Sequence, residues 1–282
     1  MKIKTFYKIY YEHRFKKSSI ILKIYILIFF PINYLLNKFF LETKKDLDLF
    51  AKKNQNLFDK DLKFLFEYFN SDKGEKYINQ YQKSIKFEKK KISGHNYYSY
   101  YESYFLKRKN DILDILEIGT FKGNATAAFY FYFKNANIIS VDIFPDLIRY
   151  YSQRVKNFFL DNSHKKQIEE KILSKNFTFD LIVEDAGHYY KDQIISLFIL
   201  FRSLKKNGIF IIEELDFPDT RQDMNPDKKH PTLREILMLI QNKKDFNSEL
   251  ISTEQKEYFL KNLSSIEIFK GNFNEIAFIK KK

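Results

Sequence analysis

The chain has no cysteine among its 282 residues, so disulfides, thiolate metal sites and cysteine nucleophiles are excluded. Glycine is scarce, at seven, and no GxGxxG run occurs, which leaves no dinucleotide pyrophosphate loop. No internal repeat is visible. Acidic residues are in deficit: 36 Asp and Glu against 49 Lys and Arg give a net charge of +13. That deficit is local. Residues 1–110 carry 24 basic and 11 acidic side chains, whereas residues 111–282 carry 25 of each. A uniformly basic nucleic-acid binder is therefore not the natural reading. Richness in Lys, Ile, Asn and Phe accounts for many lysines as a compositional bias, but not for their asymmetry. What is plentiful is apolar: 44% hydrophobic and 18% aromatic residues support a real core and argue against wholesale disorder. The mass of 34.2 kDa gives room for one large α/β domain, or a mid-sized one with an extension.

Three regions follow from texture. Residues 1–41 form a basic, apolar segment in which Ile20–Phe30 is interrupted only by Lys23 and the apolar character runs past Pro31 to Leu41. A membrane span wants roughly 20 mostly apolar residues. Lys23, Pro31, Asn33, Asn37 and Lys38 fall inside this window, so three readings stay open: a span, a segment lying in the membrane interface, and a helix packed on its own domain or a second subunit. No small-residue cleavage site follows, so it is not read as a secretory signal. Residues 42–110 read as a mainly helical, polar arm. From residue 111 to 282, strands alternate with helices: strands at Ile112–Ile118, Ile138–Val141, Phe179–Val183 and Ile209–Ile212, and helices at Asn124–Phe133, Pro145–Phe159 and Gln193–Leu204, the last stopped by Asn207-Gly208. A hairpin around Gly271-Asn272 closes the chain. This pattern predicts an α/β fold with a mostly parallel sheet, helices on both faces and an antiparallel edge.

In such a sheet ligands bind beyond the carboxyl ends of the strands. The first strand closes with Glu117, Gly119 and Gly123, where glycine permits a tight turn and close approach to a ligand. The second ends in Asp142, placed to accept hydrogen bonds from a ribose diol. Ribose without pyrophosphate points to S-adenosylmethionine; a turn glycine and strand-end acid with no ligand is the plainer reading. The next two strand ends carry Glu184, Asp185 and His188, then Glu213 and Glu214. Carboxylates converging there would repel one another without a cation. A hard divalent ion such as Mg²⁺ on Asp185, Glu213 and Glu214 answers this, with His188 as base for a hydroxyl acidified by that ion. Solvated acids paired with lysines are the competing reading. His13, His164 and His230 read as surface residues.

Taken together, SDKG (71–74), HNYYSYYE (95–102), ILEIGTFKG (115–123), SVDIF (140–144), LIVEDAGHYYKDQ (181–193) and LKKNGIFIIEEL (204–215) resemble the class I S-adenosylmethionine-dependent O-methyltransferases. The likeness is greatest to the macrolide-sugar type, the mycinamicin and macrocin O-methyltransferases, and covers about residues 70–282. It implies a Rossmann-like fold, with Glu117, Gly119 and Gly123 lining the cofactor and Asp142 holding the ribose. It also implies an adenine contact at Asp161, a metal-binding acid at Asp185 and a base at His188. The family's Glu-Asp pair becomes Glu213-Glu214, a departure that bears on metal geometry. His95, Tyr97, Tyr101, Glu102, Asp72 and Lys73 match family positions expected to form a lid or wall, or to serve structure alone.

The expectation is an S-adenosylmethionine-dependent, divalent-metal-assisted O-methyltransferase acting on a hydroxyl of a sugar or a related small or lipid-linked acceptor. The alternatives are a methyltransferase of RNA or protein, and a catalytically silent, membrane-tethered binding module on the same fold. Expected partners are a small-molecule or glycan acceptor and a peripheral membrane contact through residues 1–41, with nucleic acid disfavoured and self-association open. The expected location is cytoplasmic, with the inner face of a membrane favoured by the flanking lysines.

Overall fold

The computed structural model describes residues 2–17, 19–38, 43–79 and 90–282. Phe39 to Leu41, the end of the apolar stretch, and the side chain of His13 lie outside the described set. The chain opens with three helices, α1 (Ile3–Tyr10), α2 (Glu12–Lys17) and α3 (Ile20–Leu36). Phe6, Tyr10, Tyr11 and Ile26 form a small core between them. Among the described residues no helix is long and apolar enough to cross a membrane.

The arm that follows contains α4 (Leu47–Lys53), α5 (Leu62–Tyr68) and α6 (Tyr98–Phe105). Asp46 caps α4 by accepting from the N–H groups of Asp48 and Leu49, and Asp61 caps α5 through Phe64. A two-stranded pair, Lys76–Ile78 with Lys91–Ser93, joins α5 to α6.

The main sheet has seven strands: β1 (Asp114–Ile118), β2 (Asn137–Asp142), β3 (Val155–Phe159), β4 (Phe179–Glu184), β5 (Leu204–Ile212), β6 (Leu263–Lys270) and β7 (Glu275–Lys281). Their spatial order is β3-β2-β1-β4-β5-β7-β6. The first five are parallel, and β7 and β6 continue antiparallel as the C-terminal hairpin. Strand order reverses at β1, which has β2 on one side and β4 on the other, so the crevice for a ligand opens at their carboxyl ends.

The helix after β1, α7 (Asn124–Tyr132), is buried at every position from Ala125 to Tyr132. A helix apolar all round needs cover on both sides. The sheet covers one side; Leu47, Leu62, Phe66, Phe69 and Tyr101 of the arm join the same core and cover the other. On the opposite face α8 (Lys165–Lys171) and α9 (Tyr190–Leu200) pack with Leu116, Ile182 and Phe210. Helices Leu233–Gln241 and Thr253–Asn262 complete that layer, each started by a capping box, Thr232 with Glu235 and Ser252 with Gln255.

Two expectations need correction. Pro145–Phe159 is not a helix: it holds a 3₁₀ turn at Pro145–Leu147, a short strand at Tyr150–Tyr151 and then β3. The open edge of β2 decides this, since Ile138 to Asp142 pair in register with Val155 to Phe159, and β-branched and aromatic residues suit a sheet edge. Similarly, α9 ends at Leu200 and a 3₁₀ turn at Phe201–Ser203 leads into β5, so Asn207-Gly208 lies within the strand. Against β4 the pairing steps from Phe179–Leu204 to Leu181–Ile209, and Asn207 takes φ 61° in the resulting bulge.

Candidate active site

The adjacent ends of β1, β4 and β5 place their following residues side by side. Asp185 N–H donates to Ile118 C=O at 2.9 Å, and Glu213 N–H donates to Glu184 C=O at 3.0 Å. Gly119 takes φ 89°, and a Cβ there would lie 2.0 Å from the carbonyl oxygen of Asp185. Only glycine lets the β1 and β4 ends close to this distance. Gly123, at φ 80°, starts α7. His188 and Glu214 adopt φ 55° and 52°, a left-handed conformation costly for residues other than glycine and concentrated at functional sites.

Lys73, His188 and His95 meet the acids. Lys73 is fully buried; its ammonium donates to Asp185 Oδ2 and, at 2.6 Å, to Glu213 Oε2. Tyr101 hydroxyl donates to the other Glu213 oxygen at 2.5 Å. Both Glu213 oxygens thus accept, the arrangement of an ionised carboxylate. Burial pulls the other way, pushing Glu213 up to about 8 and Asp185 up to about 6, with Lys73 opposing in each case. His188 Nε2 lies 2.5 Å from Glu214 Oε2 and 3.8 Å from Asp185 Oδ1, while His95 Nε2 lies 2.9 Å from Glu214 Oε1. Burial disfavours the imidazolium, yet Glu214 outweighs it and pushes His188 up to about 10. In return, and against its own burial, Glu214 is held well below the usual carboxylate range by His188 and His95.

Asp185, His188 and Glu214 each offer one ligand atom, all within 4.8 Å of one another. Two carboxylate oxygens and an imidazole nitrogen suit a divalent cation, the oxygens favouring a hard ion and the nitrogen a transition metal. Glu213, expected as a third metal acid, is instead engaged by Lys73 and Tyr101. The carboxylates of Asp185 and Glu214 therefore fit a cation, and the His188 imidazole lies within reach of it.

On the cofactor side, Asp142 Oδ2 accepts from Phe121 N–H at 2.7 Å and Oδ1 from Phe144 N–H at 2.6 Å. Burial raises Asp142, and these two N–H groups oppose that. Each carboxylate oxygen retains a second acceptor site, as a ribose diol requires. Glu117 lies deeper, fully buried and bonded to Thr126, with burial pushing it up to about 7. Asp161 accepts from Ser163 N–H at 3.0 Å and from its hydroxyl at 2.6 Å, and pairs with His164 at 3.1 Å. The neighbouring Asn162 is buried and reaches Glu184 and Ser196, both at 3.1 Å. His164 and His230 are exposed, as surface residues.

The two short N-terminal motifs are one unit. His95 N–H donates to Asp72 C=O at 2.7 Å and Tyr97 N–H to Lys73 C=O at 2.9 Å, which carries Lys73, His95 and Tyr101 to the acids. Tyr97 stacks on His95 with ring centroids 5.2 Å apart. Glu102 points elsewhere, accepting from Leu62 N–H at 2.8 Å at the start of α5. That Lys73 bridges two acids is the functional feature the sequence did not reveal: its partners lie 112 and 140 residues away.

The fold has counterparts among solved structures. Two crystal structures of MycE, a methyltransferase from the mycinamycin biosynthetic pathway, are similar in fold. The complex with Mg, SAH and mycinamycin VI has TM-score 0.59 and 18% identity, and one with Mg and SAH has TM-score 0.57 and 19% identity. Each similarity covers 79% of this chain and 54% of MycE, so the chain spans about half of MycE's length. No curated protein sequence matches. A family profile described as a methyltransferase domain matches residues 109–272, more than half of the chain. The chain belongs to that methyltransferase-domain family and has a class I methyltransferase fold similar to that of MycE.

Proposed function

We propose that the chain transfers a methyl group from S-adenosylmethionine to a hydroxyl of a sugar or a related small or lipid-linked acceptor, with a divalent cation assisting. The observation that carries this reading is the trio Asp185, His188 and Glu214 beside Gly119 at the strand-order reversal. A hydroxyl is a poor nucleophile until it loses its proton, and this trio brings a base and two carboxylates to one point. When bound, a divalent cation supplies the charge that acidifies an acceptor hydroxyl. Asp185 and Glu214 would hold it, with His188 beside them and free of it. His188 takes the hydroxyl proton at Nε2, Glu214 and His95 orient that imidazole, and Lys73 neutralises Asp185 and Glu213. The acceptor oxygen then attacks the sulfonium methyl in line, and the methyl leaves sulfur with its bond pair staying on the homocysteine product. Holding the two reactants in that line supplies much of the acceleration.

The test is transfer of isotope-labelled methyl to panels of hydroxylated sugars and lipid-linked sugars, with and without EDTA. Expected is label in an alkali-stable ether, lost by at least tenfold on chelation and restored by Mg²⁺ or Mn²⁺. Label appearing only in nitrogen-linked or thioether product, or in RNA or protein, overturns the reading. A second expectation concerns the cofactor alone. Asp142→Ala removes the ribose acceptor and the anchor for Phe121 N–H, and should weaken S-adenosylhomocysteine binding by roughly 10–100-fold in calorimetry. Unchanged affinity would place the ribose elsewhere.

A further inference from the structure

Helix α3 is built inside out. Every residue of Ile20–Leu36 that is exposed is aliphatic, aromatic or proline, with Ile20, Ile21, Ile24, Leu27, Ile28 and Ile32 each more than half exposed. The polar positions face inward: Lys23 and Asn33 are half-buried, and Asn37, just past the helix, is buried. At 100° per residue the exposed positions cover an unbroken arc of about 220°. A water-facing helix carries the opposite pattern, and an apolar surface this large on a folded protein marks a binding face. Among the described residues α3 has 17 and is about 25 Å long, short of the roughly 30 Å hydrocarbon core. It is proportioned to lie on a bilayer.

Charge selects the occupant. Residues 1–40 hold eight Lys and Arg against a single acid, Glu12. Lys2, Lys4, Lys8 and Lys16 are exposed on α1, on α2 or just before them, and Lys38 follows α3. A second copy of the chain would bring two such clusters together and repel, whereas an anionic bilayer neutralises them. The same helices touch the cofactor side of the crevice: Lys2 N–H and Thr5 Oγ1 donate to Asp146 at 2.6 and 3.1 Å, and Lys8 Nζ lies 5.2 Å from the Phe144 ring. Phe144 N–H is itself a partner of Asp142.

We propose that the α1–α3 unit docks on an anionic lipid surface, with α3 laid in the interface and the basic face of α1 against headgroups. Docking would hold the cofactor end of the crevice at the membrane. This claim is independent of the acceptor assigned above, since its readout is binding and not methyl transfer.

The full chain is sedimented with vesicles of phosphatidylcholine alone and with about one third phosphatidylglycerol. Expected is at least tenfold stronger partitioning into the anionic vesicles, weakened by high salt. The pair Ile24→Glu and Ile28→Glu, on side chains already 53% and 60% exposed, should abolish binding with unfolding midpoint and S-adenosylhomocysteine affinity unchanged. Lys4→Gln and Lys8→Gln should each lower it about fivefold. Failure to partition at low salt overturns the proposal, as does binding that ignores the isoleucine pair. A dimer that this pair dissociates, without vesicle binding, assigns the face to a second copy and overturns it equally.

Discussion

Replacing His188 with asparagine is expected to slow methyl transfer by about 10²–10⁴-fold while leaving cofactor affinity within about twofold. Asparagine is the informative choice because His188 sits at φ 55°, a left-handed backbone that asparagine tolerates better than most residues. The substitution thus removes the imidazole without forcing the β4 end to rebuild. His188 is held protonated by Glu214, which raises it to about 10. A raised value means the base form is the minor one below it and grows as pH rises. The wild-type rate should therefore climb between about pH 6 and pH 9, and the slow residual rate of His188→Asn should not follow that limb. Initial rates across that range, measured with labelled cofactor, decide it. A variant that keeps the wild-type rate and slope would remove His188 from the proton-transfer step and leave it a positioning residue for Glu214.

What the sequence disclosed was what strand ends disclose. Gly119, Asp142, Asp185, Glu213 and Glu214 stand one or two residues beyond apolar runs, and a parallel sheet brings such ends together regardless of the loops between them. That geometry is local to each strand, so the runs themselves announce it. The third strand was misread because its identity is not local. Val155–Phe159 has no long apolar run, only Val155 is buried in it, and it becomes a strand because β2 offers an open edge. The division of labour among the acids was equally hidden. Glu213 and Glu214 are neighbours in sequence, yet one faces Lys73 and Tyr101 and the other His188 and His95. The left-handed turn at Glu214, φ 52°, is what separates them, and no residue type there signals it. A glycine or asparagine at that position would have been a visible cue; glutamate is not.

The second large effect concerns Lys73. Its ammonium is enclosed with Asp185 and Glu213, and Lys73→Met fills the same volume while deleting the charge. Two carboxylates then remain in a buried site with only Tyr101 and the histidines near them. Breaking a buried ion pair by removing one partner costs about 3–5 kcal/mol, because the remaining charge is uncompensated. Urea unfolding should show a loss of that size, and the thermal midpoint should fall by on the order of 10 °C. Glu213→Gln is milder, since Lys73 keeps Asp185 and the amide oxygen still accepts. The decisive measurement is the double variant. If the Lys73 penalty is the stranded charge of Glu213, adding Glu213→Gln to Lys73→Met should recover about 1–3 kcal/mol relative to the sum of the singles. If instead lysine matters only for packing its alkyl stem, methionine should be nearly neutral and the two substitutions additive. The residual deficit in the double variant then measures Asp185 alone, the one acid that belongs both to the Lys73 network and to the trio with His188 and Glu214.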